Sequence, residues 1–294
     1  MSHNSAIVDD LVTLLSLERL EVNLFRGQSR DIGSKQVFGG QVLGQALSAA
    51  NYTVEERVVH SLHAYFLRGG DMHAPIIYEV DRQRDGRSFS NRRVVAIQHG
   101  RPIFNMAASF KIPEQGLEHQ SDMPEVPQPE DLSELSLDTI SGTDRLPQKM
   151  RRFLYHQRPF EFRWVQPPEY TEPKKREPSR QVWFKTAGPL PDNPDLHRAM
   201  LAYASDYGLL TTALLPHGIS LFNEQAQVVS LDHAMWFHRP FRVDEWLLYA
   251  YDSPNASGGR GLSNGSVYTA DGTLVACTAQ EGVMRIRKPR NTES

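Results

Sequence analysis

The sequence of 294 residues holds one cysteine, Cys277. A lone thiol excludes an internal disulfide and points to a reducing compartment. No apolar run approaches the roughly 20 residues of a membrane-crossing helix. The first residues, Met1 to Asp10, are polar and acidic, so a secretion signal is not expected. The last four, Asn291-Thr292-Glu293-Ser294, are not a peroxisomal address. Together these absences lead to the expectation of a cytoplasmic protein without a membrane partner. Excess charge is also lacking: 32 Lys and Arg stand against 35 Asp and Glu, a net charge of -3. With no arginine-rich arm and no zinc-finger spacing, nucleic acid is not an expected partner. No His-Glu-x-x-His occurs, and His60-x-x-His63 lacks helical i, i+4 spacing, so no metal site is expected.

What is present is a duplication. Ser61-Leu62-His63-Ala64-Tyr65-Phe66-Leu67-Arg68 is matched, with small insertions, by Ser230-Leu231-Asp232-His233-Ala234-Met235-Trp236-Phe237-His238-Arg239. Gly86-Arg87-x-x-Ser90-Asn91 is matched by Gly259-Arg260-x-x-Ser263-Asn264, and each is followed by a strand-like run with a turn at Gly100 or Gly272. A repeat this long is a whole-domain duplication, not a solenoid period. Two similar domains in one chain pack against each other, and their seam is a natural ligand site. Length and an ordinary composition, 39% apolar and 23% charged, suit two domains with their own cores.

Periodicity predicts the same order of elements in each half. In the first, an amphipathic helix over 7–21 precedes a glycine- and alanine-rich helix over 38–50. Strands follow at 60–67, 76–82, 89–98 and 102–110. Each helical glycine weakens a helix by about 1 kcal/mol relative to alanine. Such a helix persists where something approaches its backbone closely, and a sheet wrapped around it is the expected partner. In the second half a strand over 181–186 precedes a helix capped by Asn193-Pro194 and running to 214. Strands follow at 228–237, 246–252, 261–268 and 273–285. One helix followed by antiparallel strands is an α+β pattern. The domains are expected at 1–112 and 179–290, joined by a Pro-rich linker over 113–178 with some helix around 131–143.

Asp206 is the sharpest single residue. On the expected helix, Ala202, Tyr203, Leu209 and Leu210 lie three and four positions away, so it falls on the apolar face. A buried carboxylate must be hydrogen-bonded, paired or protonated. It is either a structural acid or a functional one. Ser230 and Gln280 lie on predicted strands, where ordinary strand roles also suit them. His60, His63, His233 and His238 read as hydrogen-bonded histidines. Asp232 and His233 point to opposite faces unless a bulge intervenes. Gly261-Leu262-Ser263-Asn264-Gly265 matches a serine hydrolase elbow, but no histidine follows Ser263, so the relay is excluded. Asp192-Asn193-Pro194-Asp195-Leu196-His197 misses a hydratase motif by one residue and reads as a helix cap. Cys277 reads as a small core residue.

Several stretches together resemble the acyl-CoA thioesterase II family, bacterial enzymes with two hot-dog domains in one chain. They include Gln36-Val37-Phe38-Gly39-Gly40-Gln41-Val42, Tyr203-Ala204-Ser205-Asp206, Asp232-His233-Ala234-Met235-Trp236-Phe237-His238-Arg239-Pro240 and Gln280-Glu281-Gly282-Val283-Met284-Arg285. The resemblance implies two tandem hot-dog domains, each an antiparallel sheet wrapped around a central helix. It implies hydrolysis of acyl-CoA to fatty acid and CoA, with no metal or organic cofactor and a homo-oligomeric state, dimer or tetramer. Its catalytic trio maps onto Asp206, Ser230 and Gln280, with Ser230 where relatives carry Thr. His60 falls where the family has a histidine. Backbone N–H groups at Gly39 and Gly40 are candidates for oxyanion stabilisation. Arg285, Arg287, Lys288 and Arg290 are candidates for the CoA phosphates, or are charges of a solvated tail. The alternatives are a hot-dog enoyl-CoA hydratase, opposed by the absence of a correctly spaced histidine, and a silent acyl-CoA-binding protein.

Overall fold

The computed structural model describes residues 3–34, 36–133, 158–223 and 225–287. In the first half, α1 (His3–Leu15) buries Val8, Leu11, Leu14 and Leu15. It stops earlier than its apolar pattern predicts. Ser16 folds its N–H and hydroxyl back onto Val12 O, and the chain enters a hairpin of β1 (Glu18–Glu21) and β2 (Leu24–Gly27). The central helix α2 (Gly39–Asn51) comes next, then β3 (Val58–Phe66), β4 (Ile76–Asp85), β5 (Phe89–Gln98) and β6 (Arg101–Lys111). His99 and Gly100 both have positive φ in the two-residue turn between β5 and β6, as a tight hairpin of that length requires.

The second half contains β7 (Phe160–Trp164), β8 (Ser179–Thr186), the helix α3 (Pro194–Ser205) and a 3-10 helix (Leu210–His217). It continues with β9 (Ala226–Ser230), β10 (Asp232–Phe237), β11 (Leu247–Ser257), β12 (Arg260–Thr269) and β13 (Leu274–Ile286). Strand β7 lies inside the span expected as linker and pairs with β8. Residues earlier in that span are strapped to the outer face of the second sheet. Trp183 Nε1 donates to Pro127 O at 2.9 Å, and Gln120 bridges Gly272 O and Leu274 N. Of the helix expected around 131–143, the described part is one 3-10 turn, Pro129–Asp131; residues from 134 lie outside the described residues.

The two half-sheets are one. Among the described residues twelve strands run in one continuous order, with β9 added beside β13, because β3 pairs antiparallel with β10, Leu62 facing Met235 and Ala64 facing His233. The duplicated segments are therefore the very strands that join. Inside this curved sheet α2 and α3 lie side by side in one shared core. Gly40 and Gly44 of α2 are explained in good part by the other helix. A Cβ on Gly40 would stand 2.2 Å from Tyr203 O, and one on Gly44 would stand 3.0 Å from Ala199 O. This is the arrangement expected of two tandem hot-dog units sharing a seam, with the N-terminus of α2 against the C-terminus of α3.

Candidate active site

The site starts from the end of α3. Asn193 caps the helix start, its side chain accepting from Asp195 and Leu196 N–H. The helix expected to reach 214 ends at Ser205, with Asp206 as its C-cap. Two causes are visible. Gly208 has φ +80, a conformation open to glycine, and a Cβ there would meet Trp164 at 3.2 Å. The last carbonyls, which a helix cannot satisfy internally, take hydroxyls from β11: Tyr249 OH to Ser205 O and Tyr251 OH to Tyr207 O. Leu209, Leu210 and Ala213 therefore do not share a helical face with Asp206, contrary to the sequence expectation. Asp206 instead stands at the seam.

There its carboxylate bridges the two halves. Gly40 N–H donates to Oδ2 at 3.0 Å, so Asp206 caps the N-terminus of α2, whose own N-cap, Phe38, contributes no side-chain bond. Gly39 makes room, since a Cβ there would be 2.7 Å from Oδ2. Gln280 Nε2 donates to Oδ1 at 2.7 Å and to Ser230 Oγ at 3.1 Å. Asp206, Ser230 and Gln280 are thus brought together, as expected. Asp206 keeps some exposed surface, yet burial is the largest influence on its proton. It raises the pKa from 3.8 to about 6, against the two hydrogen bonds, which lower it.

Ser230 reaches Gln280 because of a bulge. Ser230 faces Gly282, while Ala234 faces Ala279, so four steps on one strand match three on the other. Asp232 Oδ1 accepts Glu281 N–H at 2.7 Å and pins the break between β9 and β10. Asp232 and His233 then each find a partner without lining one pocket. His233 is fully buried and bonds Ser205 Oγ through Nε2 at 2.9 Å; burial pushes its pKa down to about 3, so it stays neutral. Ser205 immediately precedes Asp206, which makes this pair a brace for the site that sequence reasoning missed. The run Asp232-His233-Ala234-Met235-Trp236-Phe237 was its only signal.

The remaining expected residues divide. Gly40 N–H is engaged by Asp206 and is not directed at an oxyanion. His60 is placed elsewhere, in a separate groove of about 920 Å³ lined by Lys111, Arg198 and His238. Its Nε2 bonds Ser109 Oγ at 2.9 Å, and burial, aided by Lys111, lowers its pKa. Arg285 lines a smaller groove of about 210 Å³ with Leu214, Val228 and Met284, next to the strand segment carrying Gln280. Arg287 is exposed at the strand end; Lys288 and Arg290 lie outside the described residues. A cavity of about 290 Å³ starts beside Tyr207 and Gly208; Phe162, Trp164, Leu214 and Phe222 give it apolar wall, and Glu169, Lys174, Arg176 and Arg180 line it as well. Among the described residues no group of three or more His, Cys, Asp or Glu could hold a metal ion.

Comparisons with known proteins bear on this geometry. Residues 155–283 match the family model described as acyl-CoA thioesterase, and residues 26–111 match that of the acyl-CoA thioesterase N-terminal domain. The chain is 43% identical over 282 residues to acyl-CoA thioesterase 2 of Haemophilus influenzae, covering 96% of this chain and 99% of that one. It is 43% identical over 295 residues to human acyl-coenzyme A thioesterase 8, covering 97% and 91%. Among solved structures, acyl-CoA thioesterase II TesB2 from Mycobacterium marinum superposes with a TM-score of 0.76 at 43% identity, covering 94% of this chain and 98% of that one. A hot dog fold protein from Alicyclobacillus acidocaldarius reaches the same TM-score at 20% identity, a likeness of fold alone.

Proposed function

The chain belongs to the acyl-CoA thioesterase family and hydrolyses acyl-CoA; from that premise we propose that Asp206, Ser230 and Gln280 carry the reaction on an activated water, without a covalent acyl-enzyme. The observation that supports this most is the Asp206 carboxylate, held on both oxygens and raised to about 6. A general base works best with a pKa near the operating pH. At neutral pH Asp206 is ionised yet still basic enough to take a proton from water. The Gln280 amide holds the carboxylate and the Ser230 hydroxyl in place, and Asp206 with the Ser230 hydroxyl positions that water against the thioester carbonyl. The new C–O bond forms, the C–S bond breaks, and the proton taken by Asp206 passes to the CoA sulfur. The products are free acid and CoA thiol. Ser263, Cys277 and the buried His233 assemble no nucleophile relay, which favours direct attack by water.

The positive end of α2 lies beside the carboxylate and favours its ionised form. Arg285 and Arg287, exposed at the C-terminal end of β13, are the cations that would meet the CoA phosphates. The aromatic wall of the cavity beside Tyr207 suits an acyl chain, and its charged lining suits the polar part of the thioester. We further place the protein in the cytoplasm, as the lone cysteine suggests; among the described residues no helix is long and apolar enough to cross a membrane. Tyr65, Leu67 and Val229, exposed near the junction of the two half-sheets, favour a homo-oligomer, dimer or tetramer. The test is thiol release from acyl-CoAs of increasing chain length by wild type and Asp206→Asn. Turnover that collapses in the variant is the expected result. Equal turnover in both would remove Asp206 from the chemistry.

A further inference from the structure

Both amide hydrogens of Gln280 are used within the trio, on Asp206 and on Ser230. Its carbonyl oxygen Oε1 is enclosed and has no partner. Directly opposite on β12, in register with Gln280, stands Ser263. Ser263 is fully buried, and its Oγ is likewise enclosed without a partner. Residues directly opposed on an antiparallel pair share a face, with Cβ atoms about 4.5–5.5 Å apart. Of the two orphaned groups only the hydroxyl can donate, and Oε1 can only accept. They are not bonded to each other in the conformers seen; a turn of the serine about χ1 joins them and satisfies both.

We propose that Ser263 is a positioning residue: its hydroxyl donates to Gln280 Oε1 and holds the amide with Nε2 toward Asp206 and Ser230. A glutamine amide is nearly symmetric in shape, so its orientation is set by its partners. Turned over, Gln280 would aim an acceptor oxygen at an ionised carboxylate and remove the donor from Ser230. A donor behind Oε1 selects the working orientation. This gives a role to the segment Gly261-Leu262-Ser263-Asn264-Gly265, whose likeness to a nucleophile elbow is deceptive: the serine stands behind the glutamine and attacks nothing. Besides burial, the groups acting on the Asp206 proton are Gln280 and Gly40 N–H. Tyr207 and Tyr249 face the same carboxylate, with their own protons held by burial. Weakening the Gln280 bond therefore has one readable direction, a rise in the Asp206 pKa.

The inference rests on the trio proposed above. Ser263→Ala should lower kcat about tenfold with KM within about twofold, and should move the acid limb of the pH–rate profile to higher pH. A merely structural serine would leave that limb in place. In a Gln280→Ala background the same change should add less than about twofold, because the group it positions is gone. Ser90→Ala, the matching change in the first half, should leave kcat and the limb where they are. Wild-type turnover and limb in Ser263→Ala, or the same tenfold loss in the Gln280→Ala background, would overturn the inference. If Gln280→Ala itself turns over like wild type, the trio fails and Ser263 falls with it. If Gln280→Ala is crippled and Ser263→Ala is not, Ser263 alone is ruled out.

Discussion

Beneath the C-terminus of α2, Arg92 fills the space with a guanidinium; beneath the C-terminus of α3, the matched position is Gly265. The match follows from Ser90-Asn91-Arg92 and Ser263-Asn264-Gly265 in the duplicated segment. Arg92 is 1% exposed and donates to Thr53 Oγ1, to Thr53 O and to Asp85 Oδ1. A cation there suits the negative end of a helix. In the second half a Cβ at Gly265 would stand 2.3 Å from the Tyr249 ring, and the Tyr249 hydroxyl takes over the helix end through Ser205 O. The replacement is neutral. Asp206, one residue on, is therefore buried beside hydroxyls and an amide, with no cation to draw its pKa down. One half closes its helix with charge; the other closes it with neutral donors and keeps a carboxylate with a pKa of about 6, the base proposed above. The trio is not repeated either, since the residue facing Ser90 across the strands is Phe110, where Ser263 faces Gln280.

The comparison breaks most sharply at Asp206. Asp206→Asn should lower kcat by about 10² to 10⁴, the range of general-base catalysis, and should at the same time stabilise the fold. A carboxyl whose pKa rises from 3.8 to about 6 on folding binds its proton more tightly when folded. Stability therefore falls as pH rises from 3.8 to about 6 and stays reduced above it. The full rise corresponds to roughly 3 kcal/mol; the exposed surface of Asp206, and the loss of one of its two accepted bonds because an asparagine nitrogen cannot accept, cut the expected gain to at most about 1 kcal/mol. Thermal unfolding at pH 8 against pH 4 measures it, and a variant less stable than wild type at pH 8 would contradict the account.

Arg92→Met should do the reverse. Losing a buried cation and leaving Thr53 O without its donor should cost about 3 kcal/mol in a denaturant titration, while kcat per folded molecule stays within about twofold. Gly40→Ala attacks the seam itself. Its methyl would press on Tyr203 O, so a loss of about 1–3 kcal/mol is expected, with turnover falling because Gly40 N–H leaves Asp206. Next, kcat/KM should fall about tenfold per pH unit below about pH 6, reporting the Asp206 carboxylate. A limb near pH 4 would mean that burial does not control it. The smallest effect is assigned to His60→Gln, expected within about twofold in kcat, since His60, bonded to Ser109, lines the other groove. A large loss there would restore His60 to the chemistry.

Much of this was legible from local pattern. The α+β order, the two central helices and the strands of the duplicated segments follow from periodicity, because each depends on neighbours a few residues away. Residue types pointed to Asp206, and the resemblance supplied Ser230 and Gln280. The errors share a cause. The helix expected through 214 stops at Ser205 because hydroxyls from Tyr249 and Tyr251, more than forty residues on, take its carbonyls. The strand expected over 228–237 breaks at Leu231 because Asp232 bonds Glu281 on another strand. The glycines of α2 signalled a close approach, but nothing in their own segment could say that α3 was the visitor.

By itself, then, the sequence determined that the chain is a duplicated α+β protein with an acid, a hydroxyl and an amide in its second half. Those follow from composition, spacing and repeat, which are properties of short stretches. Tertiary structure decided that Asp206 caps a helix 166 positions earlier, that the two sheets are one, and that burial outweighs two hydrogen bonds in setting a base near 6. Such outcomes depend on which distant groups meet in a low-dielectric seam, and only the packed chain brings them together.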